Sequence, residues 1–274
     1  MQLEHSLEPS IAQDVRPSIA PDAGSFMLLT IHKAGSTYVG EIFKEVFAKH
    51  GYGIVDPLTE AFDRGVRLGP YIKEQTDRLC APKSFIGPFR GRLNGLAAHL
   101  ISARPIVHVR DPRDCIVSYY YSLRFSHVER EGLEGARIRA RRESLEHITI
   151  DGFVENILLG GKEVDDDFSR SFELLENVRR AWPDAILSRY EDMVEEFPDW
   201  LVGIVEQLGI AIDYEMIIDL IARTNFLQNL RVEENQHNHK RQITPGDFRR
   251  KLTPRSQALL TEFYAQELAW FGYA

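Results

Sequence analysis

Phe26-Met27-Leu28-Leu29-Thr30-Ile31-His32-Lys33-Ala34-Gly35-Ser36-Thr37-Tyr38-Val39 decides the fold. Its first six residues are a short apolar run behind the turn-forming Asp22-Ala23-Gly24-Ser25, which predicts a buried strand. Past Thr37, the apolar residues Val39, Ile42, Phe43, Val46 and Phe47 recur at i, i+3, i+4 spacing, so a helix follows, with Gly51 beyond His50 as its stop. Between strand and helix lie a Lys, a Gly and two hydroxyls. A loop opening onto a helix N-terminus offers backbone N–H groups and the positive end of the helix dipole to an anion. Lys33 adds a full charge, and Ser36 and Thr37 add donors, so the chemistry is phosphate or sulfate binding. This is not the Gly-x-x-x-x-Gly-Lys-Ser/Thr nucleotide loop, because here the Lys precedes the Gly and the loop is shorter.

The second informative stretch is Pro105-Ile106-Val107-His108-Val109-Arg110-Asp111-Pro112-Arg113-Asp114, continuing through Cys115 to Tyr120. Ile106 to Val109 reads as a strand. Asp111 suits a helix N-cap, Pro112 the first helical position, and Asp114 the third, where an acid complements the dipole. Arg110 then stands at the strand's C-terminal end, with Ser118 about two helical turns further on. In open α/β sheets, ligands bind at the C-terminal ends of parallel strands.

Together these stretches resemble the sulfotransferases that use 3′-phosphoadenylyl sulfate (PAPS). Lys33-Ala34-Gly35-Ser36-Thr37-Tyr38 is similar to their 5′-phosphosulfate loop, usually Pro-Lys-Ser-Gly-Thr-Thr-Trp, with departures at His32, Ala34, Ser36 and Tyr38. The resemblance implies that Arg110 and Ser118 hold the cofactor's 3′-phosphate and that Tyr38 stacks on adenine. Tyr190-Glu191-Asp192-Met193 matches the family's Tyr-Glu-Asp element, which brings Tyr190 to the adenine side. Thr224-Asn225-Phe226 matches Thr-Ser-Phe, giving Thr224 and Phe226 adenine contacts. Arg241 to Arg249 resembles the segment that folds over the 3′-phosphate, and Arg241 carries over, whereas Gln242 and Ile243 depart from it. The implied fold is α/β: one domain with a central, mostly parallel sheet flanked by helices, the P-loop-kinase-like sulfotransferase fold. It would span residues 25–274, behind a mobile tail at 1–24.

Composition sets the bounds. The 274 residues are 43% hydrophobic and 27% charged, as in an ordinary globular protein, and no apolar run reaches transmembrane length. The N-terminal residues carry Pro9, Pro17, Pro21 and scattered acids without a continuous apolar core, so no secretory signal is expected. Two cysteines, Cys80 and Cys115, are too few for a disulfide framework or a zinc site, which suggests a reduced, cytoplasmic protein. A net charge of −8 argues against nucleic-acid binding, while clusters around Arg124–Arg142 and Lys240–Lys251 suit a small anionic ligand.

The rest of the chain is coarser. Residues 51–82 show no clear period, and Lys83–Gly87 reads as a short strand. Asn94–Ala103 reads as a helix, and 124–168 as a solvated helix with a mobile, lid-like loop. Helices are expected over Ser169–Trp182, Trp200–Leu208 and Tyr214–Ala222, with a strand over Ala185–Tyr190.

Sulfuryl transfer needs an in-line acceptor, a positive clamp on the transferred group and a stabilised leaving group. Lys33, Ser36, Thr37 and the loop amides supply the clamp without a metal, leaving 3′,5′-adenosine bisphosphate (PAP) as the product. A general base is also expected. The cytosolic branch of the family uses the His of a Lys-Thr-His element. The apparent counterpart here is Lys83-Ser84-Phe85, and Phe85 cannot do that work. Glu60 resembles the base of other branches, and His99 and His127 are alternatives. The acceptor is expected to be a hydroxyl or amine of a small molecule or glycan. Two other classes compete: a small-molecule kinase with a variant phosphate loop, and a non-catalytic nucleotide-binding protein.

Overall fold

The computed structural model describes residues 24–90, 103–126, 132–158, 167–211, 213–224 and 243–273. Five strands form its sheet: β1 (Phe26–Thr30), β2 (Gly53–Val55), β3 (Ser84–Arg90), β4 (Arg104–Val109) and β5 (Ile186–Arg189). All pairings are parallel, in the order β2-β3-β1-β4-β5. The chain leaves the central β1 towards β2 and β3 on one side and reaches β4 and β5 on the other. The order therefore reverses at β1, and the C-terminal ends of β1, β3 and β4 meet at that switch point.

Helix α1 (Ser36–Lys49) follows β1, and α2 (Pro57–Asp63), α3 (Leu68–Glu74) and α4 (Thr76–Leu79) lie between β2 and β3. The segment without a clear period is thus a strand and three short helices, each too short to show an amphipathic repeat. Helix α5 (Pro112–Tyr121) follows β4 and runs into a π-helical turn, Ser122–Ser126. Then come α6 (Gly132–Ser144), α7 (Ile150–Leu158) and α8 (Asp167–Ala181) before β5. Beyond it are α9 (Tyr190–Glu195), α10 (Phe197–Leu208), α11 (Tyr214–Thr224), α12 (Phe248–Lys251), α13 (Pro254–Phe263) and α14 (Ala265–Phe271).

The apolar strands are buried on both faces, as a parallel sheet requires. Side chains alternate along β1: Phe26 and Leu28 enter one core with Phe43, Phe47, Phe85 and Trp200, whereas Met27 and Leu29 enter the other with Val107, Ile116, Phe153 and Phe172. The first core is aromatic, with Phe47 and Phe85 stacked at 4.7 Å between ring centroids. Phe85 is fully buried in it.

Strand β3 runs three residues past the expected Gly87. Gly-Pro normally breaks a strand, but the register between β1 and β3 shifts here and absorbs the irregularity. A side chain at Gly87 would approach the Leu28 carbonyl oxygen to 2.7 Å, so only glycine fits. The extension carries Arg90 to the C-terminal end of β3, opposite Thr30.

The arginine-rich region is anchored where it is described. Ile138, Leu145, Phe153 and Val154 are buried, and Arg124 donates to the carbonyls of Glu146 at 3.0 Å and Ile148 at 3.2 Å. Residues 127–131 and 159–166, and hence His127, lie outside the described residues, as do most of the N-terminal tail and all but the last residue of the Asn94–Ala103 segment.

Candidate active site

The loop between β1 and α1 is built on two left-handed residues, Lys33 (φ 69°) and Gly35 (φ 73°). Alternation of this kind turns successive N–H groups into one concavity, a nest for an anion. A non-glycine residue at positive φ is strained, and strain of this sort concentrates at functional loops. Gly35 occupies the N-cap of α1 without a side-chain cap, so the first turn directs its N–H groups at the loop mouth. A Cβ at Gly35 would sit 2.9 Å from the Tyr190 ring, so this glycine is required both by its φ and by that contact.

The loop is braced from below by a buried relay. His108 on β4 lies 2.8 Å from the Ala34 carbonyl oxygen through Nε2 and 2.8 Å from Ser188 Oγ through Nδ1. A carbonyl only accepts, so Nε2 carries the hydrogen and Nδ1 accepts from the Ser188 hydroxyl. Ser188 in turn accepts from the Trp200 indole N–H at 3.0 Å. Burial lowers the His108 pKa to about 4, so the ring is neutral and the relay keeps one direction.

Next to the loop, Arg110 ends β4 with 4% of its surface exposed. It donates to the Lys33 carbonyl at 3.1 Å, pairs with Asp114 at 3.5 Å, and lies over the Tyr190 ring at 4.3 Å. Burial opposes its charge, but Tyr190, Asp114, Cys115 and Glu191 together hold its pKa above the ordinary guanidinium value. Its Nε is buried without a hydrogen-bond partner. Such a donor costs free energy unless an acceptor meets it, so the arrangement fits a phosphate brought to Arg110.

Helix α5 is capped as expected: the Asp111 carboxylate accepts from the Arg113 N–H at 2.8 Å and pairs with the Arg113 guanidinium at 2.7 Å. Asp114 does more than complement the dipole. It is 1% exposed and accepts from the N–H groups of Gly246 at 2.7 Å and Phe248 at 2.9 Å. That carboxylate ties the C-terminal segment to the Arg110 turn. Tyr190 adds a second tie, donating from its hydroxyl to the Ile243 carbonyl at 2.8 Å. Tyr190 is thus enclosed between Gly35, Arg110 and Ile243 and supports both the loop and the Arg110 turn. Ser118 lies on α5 one turn beyond Asp114 and is half-buried.

Tyr38 and the end of α11 come together as well. An open groove beside α1 is lined by Tyr38, Ile42, Lys44, Ile54, Leu220 and Arg223. Helix α11 ends at Thr224, whose side chain is outside the described residues, together with all of Phe226, Arg241 and His99.

Glu60 sits on α2 beyond the edge strand. It accepts from Arg78 at 2.8 Å, from the Asp56 N–H at 3.2 Å, and from the Tyr71 hydroxyl. Burial would raise its pKa, but those hydrogen bonds hold it below the ordinary carboxylate value.

Three side chains here escaped the sequence. His108 reads as one more strand residue, and its only signal is a polar ring within an apolar run. Asp114 reads as a helix-end acid, because its partners lie far along the chain. Arg90 was hidden behind Gly87-Pro88. It donates to Thr37 Oγ1 at 2.8 Å on the other flank of the loop. Among the described residues, no group of three or more His, Cys, Asp or Glu side chains is placed to hold a metal.

A nest-like loop and a buried arginine thus stand side by side at the switch point of a parallel α/β sheet. The sequence pattern of the sulfotransferase domain matches residues 24–272, and the chain belongs to that family. Its fold is similar to mouse sulfotransferase SULT7A1 complexed with PAP, at TM-score 0.62 and 17% identity, covering 90% of this chain and 84% of that one. It is also similar to retinol dehydratase in complex with retinol and PAP (TM-score 0.52, 14% identity, 88% of this chain and 80% of that one). The same enzyme with androsterone and PAP gives TM-score 0.54 at 15% identity, over the same shares. No curated protein matches in sequence.

Proposed function

We propose that this sulfotransferase moves a sulfuryl group from PAPS to a hydroxyl or amine of a small-molecule or glycan acceptor. One observation carries the proposal: the Arg110 guanidinium is bonded to the Lys33 carbonyl, which couples a 3′-phosphate clamp directly to the phosphosulfate loop. Arg110 and Ser118 would hold the 3′-phosphate, with Arg241 above them. Lys33, Ser36, Thr37 and the amides of Ala34 and Gly35 would hold the 5′ end. Tyr38, Thr224 and Phe226 would border the adenine along the groove beside α1. Tyr190 would keep Arg110 and the loop in register.

PAPS supplies the activated sulfur. As its bond to the 5′-phosphate oxygen breaks, the electron pair stays on that oxygen, the acceptor oxygen or nitrogen bonds to sulfur, and the acceptor proton passes to solvent water. Lys33 and the first-turn N–H groups of α1 face the charge that grows on the leaving oxygen, and they are held before the reaction begins. Of the three base candidates, only Glu60 is described. With its oxygens committed to Arg78 and Tyr71, it is a poor proton acceptor, so we assign it to the framework of the α2–α4 wall rather than to the proton. The PAP bound by the structural neighbours supports the PAPS reading, and the retinol and androsterone bound by retinol dehydratase support a small-molecule acceptor. Two cysteines, too few for a disulfide framework, suit a reducing, cytoplasmic setting.

The test is an acceptor panel with labelled PAPS in excess EDTA, following labelled product and PAP together. Equimolar formation of both is expected. A transfer that EDTA abolishes and magnesium restores would point to the kinase class, and PAP binding without transfer to any acceptor would point to a non-catalytic protein.

A further inference from the structure

The cation on the far side of the loop has no assigned task. Arg90 reaches across the C-terminal end of β3 and donates through one terminal nitrogen to Thr37 Oγ1 at 2.8 Å, while its Nε is buried without a hydrogen-bond partner. Among the described residues no carboxylate lies within ion-pair distance of it. The nearest negative charge that acts on it, Asp56, is already taken by Lys44 at 2.6 Å and by Thr59. Two further acids of the neighbouring wall are occupied as well, Glu60 by Arg78 at 2.8 Å and Glu74 by Arg64 at 3.8 Å. Burial depresses the Arg90 pKa, and the distant Asp56 only partly opposes this. A desolvated guanidinium with no counter-ion is costly in a folded protein, and a structural anchor for one threonine hydroxyl would not need the charge.

Its position says which anion it awaits. Thr37 stands in the first turn of α1, at the mouth of the loop, and is exposed there. The 3′-phosphate clamp lies on the β4 side of β1, and Arg90 is on the β3 side. We propose that Arg90 is a catalytic residue that contacts the transferred sulfuryl group, closing from β3 the charge clamp that Lys33 closes from the loop. This assignment rests on the PAPS reading above. Thr37 sets the guanidinium in place by occupying one of its donors, which leaves Nε and the second terminal nitrogen for sulfuryl oxygens. During transfer the sulfur leaves the 5′-phosphate oxygen, which keeps the electron pair, and bonds to the acceptor. Arg90 stays charged throughout and gives up no proton.

The experiment is calorimetric binding of PAPS and of PAP, without acceptor, to the unsubstituted protein, to Arg90→Met and to Arg90→Lys. Arg90→Met should bind PAP within about twofold of the unsubstituted protein but lose on the order of tenfold or more in PAPS affinity, as expected for a charged hydrogen bond lost. Its turnover at saturating PAPS should fall on the order of 10²-fold. Arg90→Lys, which keeps the charge, should recover part of both losses. Equal weakening of PAP and PAPS by Arg90→Met, or no change in either, would overturn the proposal. Failure of the PAPS reading itself would appear separately, as an unsubstituted protein that binds neither nucleotide.

Discussion

Arg90 ends β3 and Arg110 directly follows β4, the two strands that flank β1 and its loop, and the fold treats them differently. Arg110 is held from three sides, by the Lys33 carbonyl, the Asp114 carboxylate and the Tyr190 ring, although its Nε, like that of Arg90, has no partner. Among the described residues, the one hydrogen-bond partner of Arg90 is the Thr37 hydroxyl. On the proposals above, the difference would separate a clamp whose geometry is set before any ligand arrives from a cation whose partner is left to the ligand. A pre-organised group contributes mainly to binding, whereas a charge matched only during transfer contributes to rate. If that contrast is right, substitutions on the two flanks should fail in different ways.

The largest effect is expected on the rigid side. Asp114→Ala would leave Arg110 buried without its carboxylate and strip the Gly246 and Phe248 N–H groups of their acceptor. Breaking a buried pair in this way costs about 3–5 kcal/mol, so denaturant titration should show a correspondingly lower unfolding free energy. A near-neutral result would mean that the clamp is not held as described. Lys33→Ala should act the other way, with turnover falling on the order of 10²–10³-fold while PAP affinity changes little. Full turnover at saturating PAPS would reduce the loop to an anchor.

The His108 relay sharpens the comparison through pH. Its folded-state pKa, about 4, lies below the ordinary 6.5, so the unfolded chain binds the extra proton first. Its contribution is complete above pH 6.5 and is lost as pH falls towards 4, by about 3 kcal/mol. Thermal unfolding across that window should show the loss, and His108→Gln, which has no ring to protonate, should flatten the dependence. An unchanged slope in that variant would remove His108 as the cause. The smallest effect is expected at Glu60. Glu60→Gln should leave turnover within about tenfold, whereas loss of a true general base typically costs 10²–10⁴-fold. A drop of that size would return Glu60 to the chemistry.

What could be read in advance follows the same division. The strands Phe26–Thr30 and Arg104–Val109, the capped helix after Asp111 and the loop at Lys33 were legible because each is encoded locally, in apolar runs, a Pro at the helix start and a Gly at the turn. Asp114 was legible as an acid of the first helical turn, but not as a tie to the C-terminal segment, because its partners, Gly246 and Phe248, are remote in sequence. Tyr190 was placed by family pattern at the adenine side, but its burial between Gly35 and Arg110 depends on packing that no local motif records. Arg90 lies beyond Gly87, where the expected strand stopped, and a register shift between β1 and β3 carries the strand past that point. The three short helices between β2 and β3 lacked the length to show a period.

The central claim is that Arg110 and the Lys33 loop form one site for a nucleotide with two separate anionic ends. Calorimetry with PAP and with AMP, which lacks the 3′-phosphate, tests it most directly. The account predicts far tighter binding of PAP, with Arg110→Ala weakening PAP by about 1.5–3 kcal/mol and leaving AMP nearly unchanged. Equal affinity for the two nucleotides in the unsubstituted protein would contradict it.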